Sequence, residues 1–126
     1  ITGLTMPLLG DSFGQCWDAT YNAIKFPVSL LSNCTFILMG YAVFAAPSTS
    51  GALLEIALQS TGDPASGSWT YQFAQSVPSI AGRSTHLCVV GLWQVTADIW
   101  FRLSALQVTG GNLDVYPATL RAILIS

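Results

Sequence analysis

Charge is what this sequence has least of. Only 8% of its 126 residues are Asp, Glu, Lys or Arg, and the net charge is −2. An ordinary soluble domain is about 25% charged. The four bases, Lys25, Arg83, Arg102 and Arg121, are scattered along the chain. They form no basic stripe that could neutralise phosphates, so nucleic acid is not an expected partner, and they form no polybasic membrane anchor. Histidine occurs once, as His86. A hydrolase triad would have to use it as the base, and no GxSxG elbow accompanies it. His86 reads instead as a half-exposed strand residue. The six acids, Asp11, Asp18, Glu55, Asp63, Asp98 and Asp114, have no spacing that pairs them for glycoside hydrolysis. Nor do they form the dense oxygen run of a calcium loop. Asp63 and Asp98 are expected to cap their own turns. No catalytic residue, metal site or cofactor follows from the sequence, and the chain reads as a non-enzyme.

Cysteine is also sparse. Cys16, Cys34 and Cys88 are odd in number and show no CxxC spacing, so neither a zinc knuckle nor a redox pair is indicated. Cys34 and Cys88 fit buried small hydrophobes on strands, and a disulfide from Cys16 to either is left open. Long hydrophobic runs are missing as well. The longest covers residues 35–46 and is broken by Gly40 and Tyr41, which is short of the roughly 20 residues a bilayer span needs. No basic region followed by an apolar one marks a signal peptide. Helical periodicity is absent over any 12-residue window.

What remains is strand signal. Hydrophobic residues make up 52% of the chain, in short runs separated by turn residues. Residues 1–9 fit an arm or an edge strand, and any N-terminal arm is expected within residues 1–22. Residues 23–31 contain Pro27, which argues for an edge or a bend. Residues 34–44 are apolar on both faces: Phe36, Leu38, Ala42 and Phe44 on one, Ile37, Met39, Tyr41 and Val43 on the other. A strand of that kind is covered on both sides. Residues 53–59 alternate, with Leu54, Ile56 and Leu58 inward and Glu55 and Gln59 outward. Trp69, Tyr71 and Phe73 follow at period two, the simplest reading being core packing. Residues 86–95 and 99–108 form two further strands. The second has Trp100 alternating with Ile99 and Phe101, so it too is expected to be apolar on both faces. Residues 113–116 and 119–125 close the chain, with Leu120, Ala122 and Leu124 opposing Arg121 and Ile123. Asn33-Cys34-Thr35 matches a glycosylation sequon at the head of an apolar strand and reads as a chance match. About eight strands with turns between them predict one all-β domain over residues 1–126, an antiparallel sandwich of jelly-roll type.

Low charge predicts a surface covered by neighbours or coated with Ser, Thr, Asn and Gln, and the two-sided apolar strands predict that their second face meets a partner chain or an overlying arm. Ile37, Met39, Tyr41, Val43 and Trp100 are the candidate interface residues.

The C-terminal segment Leu113-Asp-Val-Tyr-Pro-Ala-Thr-Leu-Arg-Ala-Ile-Leu-Ile125 resembles the final strand of the tumour-necrosis-factor/C1q-like jelly rolls. That resemblance implies a homotrimer with an apolar three-fold axis. Within the group, two branches are similar to parts of residues 50–125. Phage capsid decoration, or cement, proteins are resembled by Leu53-Leu-Glu-Ile-Ala-Leu-Gln-Ser-Thr-Gly-Asp63 followed by Trp69. They are also resembled by Ile99-Trp-Phe-Arg-Leu-Ser-Ala-Leu-Gln-Val-Thr-Gly-Gly111. This branch implies a structural role on a virion surface, with the major capsid protein as partner. Bacterial lectins of the same fold are resembled at Thr70-Tyr71, Val77-Pro78 with Gly82-Arg83, and Asp114 with Tyr116, which look like their fucose-binding neighbourhood between protomers. That branch implies an extracellular glycan-binding protein using Thr70, Tyr71, Arg83 and Asp114.

Overall fold

Turn formers divide the chain where the strands end. A computed structural model describes residues 2–3 and 16–126, and the expected N-terminal arm falls mostly outside that range. The strands are β1 (Thr2–Gly3), β2 (Trp17–Asp18), β3 (Ala23–Phe26), β4 (Thr35–Phe44), β5 (Leu53–Thr61), β6 (Thr70–Pro78), β7 (Thr85–Gln94), β8 (Ile99–Gln107) and β9 (Val115–Leu124). They form two antiparallel sheets. The larger has the order β2-β3-β8-β5-β6, with β1 also paired to β8; the smaller has the order β7-β4-β9. The all-β antiparallel sandwich expected from the sequence is therefore present.

The core lies between the sheets. Phe36, Leu38, Ala42 and Phe44 of β4 meet Leu54, Ile56 and Leu58 of β5 and Phe101 and Leu103 of β8, all buried. Aromatic rings close one end of this layer. Phe101 is edge-on to Trp93 at 5.0 Å and to Phe26 at 6.1 Å, in the T-shaped arrangement that ring quadrupoles favour. Close approach of the sheets is set by small residues. A Cβ at Gly40 would stand 2.5 Å from Leu103 Cδ1, and one at Gly91 would run into the Phe73 ring.

Four local expectations are corrected. Residues 23–31 are not one bent strand. Pro27 ends β3 and opens a short helix, α1 (Val28–Leu31), because its ring fixes φ in a range suited to a helix start and has no N–H to give a ladder. Asp98 does not cap its own turn but accepts the Val28 N–H at 2.8 Å, supplying the cap that Pro27 cannot. Asp63 behaves as expected and accepts from Ala65 N. The two C-terminal runs are a single strand, β9, which passes through Pro117 with a register shift opposite residues 42–44.

The fourth correction concerns Trp69, Tyr71 and Phe73. Period two would put all three on one face. Leu58 pairs with Phe73 but Gln59 pairs with Tyr71, so Gln72 is an extra residue in β6. This β-bulge inverts the alternation. Phe73 packs against the core, whereas Tyr71 opposes outward-facing Gln59 and is 46% exposed. Gln72 uses its freed side chain to donate to Ser60 Oγ at 2.9 Å.

Candidate functional site

The outward face of the smaller sheet follows from its register. Across β7-β4-β9 the rows are Leu92–Ile37–Ile123, Val90–Met39–Arg121 and Cys88–Tyr41–Thr119, with His86 opposite Val43 beyond them. In a two-layer sandwich each strand should alternate apolar-in and polar-out. Here the inward set is buried and the outward set is also apolar. Ile37, Met39, Tyr41 and Val43 are half-buried by their own neighbours. Val90 and Leu92 remain 56% and 60% exposed, and Ile123 41%. Three strands at about 4.8 Å spacing over seven residues give a footprint of about 300 Å². The largest patch on a typical monomer is of that order and is often functional.

Polar groups stand at the margin of this patch. Tyr41 Oη and His86 Nδ1 are 2.7 Å apart, which satisfies both. Arg121 lies on the β9 edge, where its long stem leaves the guanidinium in solvent. An apolar centre with a polar border is the organisation of a protein–protein interface core and rim.

Four of the five expected interface residues, Ile37, Met39, Tyr41 and Val43, thus share one face. Trp100 does not belong with them. It sits on the outward face of the larger sheet, where Lys25 covers its ring at 5.0 Å and its Nε1 donates to Asp18 Oδ2 at 3.1 Å. β8 carries apolar residues on both faces only in part: its outward residues are Trp100, Arg102, Ser104 and Leu106, a mixture of apolar and polar side chains. Cys88 is exposed on the β7 row and not buried as expected, Cys34 is half-buried, and Cys16 is buried. The contribution of β7 was missed in the sequence. The alternation of Leu87, Val89 and Gly91 with Cys88, Val90 and Leu92 carries the same two-sided signal as β4.

The residues implied by the lectin resemblance are spread within one chain. Thr70 and Tyr71 begin β6, while Arg83 follows its far end in the loop after Pro78, so roughly 25 Å of strand separates them. Asp114 lies at the Arg83 end, where its carbonyl accepts from Ala45 N at 2.9 Å. Desolvation, with the charge of Glu55 adding to it, raises the Tyr71 phenol above its ordinary pKa.

Among the described residues no group of three or more His, Cys, Asp or Glu side chains is placed to hold a metal. No helix among them is long and apolar enough to cross a membrane. Comparison with family models, curated proteins and solved structures finds no match for this chain.

Proposed function

We propose that this chain is a non-catalytic structural subunit that self-associates through the outward face of β7-β4-β9 and, as an oligomer, decorates or cements a larger shell. The observation that carries the reading is that face: apolar side chains on three strands, in a chain that is 8% charged. Water is a poor neighbour for Val90, Leu92 and Ile123, and removing apolar area from it stabilises association by about 25 cal/mol per Å². A standard interface covers about 800 Å² per partner. The apolar rows supply roughly 300 Å² of that, and a ring formed by Arg121, Thr119, His86 and Gln94 extends it. A second copy is the natural occupant because Ile37, Met39, Val90, Leu92 and Ile123 are all uncharged and apolar, with Arg121 at the β9 edge, and an apolar face is complementary to itself. Three copies around an axis is the arrangement implied by the resemblance to tumour-necrosis-factor-like jelly rolls. The same resemblance to decoration proteins motivates the major capsid protein as the outer partner.

Light scattering after size exclusion tests the first half. At micromolar concentration the mass should be a small multiple of 13.4 kDa, and a monomer at all concentrations would remove the basis of the proposal. Electron micrographs of purified particles from the source, with and without the added protein, test the second half. Protein distributed regularly over the particle surface supports decoration, and bare particles contradict it.

A further inference from the structure

The larger sheet carries a second surface that self-association through β7-β4-β9 does not use. Lys25 and Arg102 are half of the chain's four basic side chains, and both lie on its outward face. Lys25 stands opposite Trp100 in the β3–β8 register, and Arg102 is two residues further along β8. Diagonal neighbours of that kind have backbones about 7–8 Å apart. Each cation rests on an indole: Lys25 Nζ is 5.0 Å from the Trp100 centroid, and Arg102 Cζ is 4.5 Å from that of Trp69.

Neither cation forms an ion pair among the described residues. The neighbouring carboxylate of Asp18 is engaged elsewhere: it accepts from Trp100 Nε1 and from the Thr20 and Tyr21 N–H groups. Arg102 is also oriented. Its Nε donates at 2.8 Å to Oε1 of Gln59, which is itself 3% exposed. That bond fixes the plane of the guanidinium and leaves its two Nη groups as donors. Partial burial makes the charge harder to hold and lowers the Arg102 pKa from its ordinary range. A desolvated cation with no ion pair among the described residues gains more from an anion than a solvated one does. Tyr71, opposite Gln59 in the same row, is 46% exposed.

We propose that this patch binds an acidic saccharide, a pyranose ring bearing a carboxylate. The Nη groups of Arg102 take the carboxylate in a two-bond fork, the geometry in which guanidinium binds best. Lys25 adds the second positive charge, and the Tyr71 ring carries the apolar C–H face of the sugar. An acidic peptide suits the patch less well. The β5 and β8 backbones beneath it are paired on both sides, so they offer no ladder to an extended chain.

Intrinsic tryptophan fluorescence and saturation-transfer NMR on the full chain test this, with sodium glucuronate as the probe. Glucose, sodium acetate and polyglutamate serve as comparisons. Glucuronate should give saturable binding at least tenfold tighter than glucose or acetate. Arg102→Gln should weaken it at least tenfold, Lys25→Gln severalfold, and Arg121→Gln on the other sheet not at all. Circular dichroism establishes that each variant is folded; if Arg102→Gln is not, Lys25→Gln decides. The proposal is overturned by absent binding, by acetate or polyglutamate binding as tightly as glucuronate, or by a folded Arg102 or Lys25 variant that binds like the parent. Oligomer mass measured on the same samples keeps this outcome separate from self-association.

Discussion

Replacing Leu92 with Asp places a charge in the apolar row Leu92–Ile37–Ile123 of the proposed contact, on the face turned away from the core. Leu92 is 60% exposed in the single chain. Full burial of a leucine side chain is worth about 1.5–3 kcal/mol, so the fraction still open to water can contribute about 1–2 kcal/mol when a second copy covers it. Where both partners use the residue, the loss doubles to about 2–4 kcal/mol. A carboxylate enclosed without a partner costs several kcal/mol more. Association should weaken by at least about 4 kcal/mol, or about a thousandfold in the dissociation constant. Folding of the single chain should change far less, because surface substitutions usually stay within about 0.5 kcal/mol and the poorer strand propensity of Asp adds at most about 1 kcal/mol. Leu92→Thr, uncharged and suited to a strand, should weaken association by an intermediate amount. Sedimentation equilibrium over a wide concentration range, with thermal melts monitored alongside, reads both quantities. A folded Leu92→Asp protein with the parent's mass at every concentration would refute the reasoning.

Three further outcomes follow from the packing. Gly91→Ala forces the Phe73 ring aside; overpacking of this kind costs about 1–3 kcal/mol, read as a lower melting temperature, while Gly51→Ala should be affected through its positive φ alone, since nothing lies within 4 Å of its Cβ position. Asp98→Ala strands the Val28 N–H and should cost about 0.5–2 kcal/mol, the usual worth of a cap, again by thermal or denaturant melts. Ultraviolet absorbance during alkaline titration should show one phenol ionising above the ordinary tyrosine value of about 10, absent in Tyr71→Phe. Because the fold favours the protonated phenol, its small stabilising contribution is present below pH 10 and lost as pH rises through the raised value.

Much of the sandwich was legible because its central strands obey simple alternation. β5 placed Leu54, Ile56 and Leu58 inward as read, and β4 showed its two apolar faces directly. β9 likewise set Leu120, Ala122 and Leu124 against Arg121 and Ile123. The failures have local causes. The bulge at Gln72 is a backbone event with no residue signature, and it moved Tyr71 from core to surface. Pro27 signalled a break but not that a helical turn would follow. Asp98 reached a partner 70 residues away, which a local rule cannot supply. At the candidate interface, four β4 residues were found because that strand was read on both faces. Val90 and Leu92 join them only through the β4–β7 register, which also turns Cys88 outward. Trp100 was grouped with them by composition, and only sheet order separates it: β4 and β8 belong to different layers. Arg102 and Gln59, 43 residues apart, meet solely through the β5–β8 register.

Thiol labelling of the unaltered protein tests the central claim most directly. Cys88 is exposed on the single chain in the row with Tyr41 and Thr119, while Cys34 is half-buried and Cys16 is buried. If copies pack through this face, the rate of Cys88 modification by a small maleimide, followed by peptide mass spectrometry, should fall steeply as protein concentration rises through the association range, with Cys34 changing little. A Cys88 rate that stays constant from nanomolar to high micromolar concentration would contradict the account.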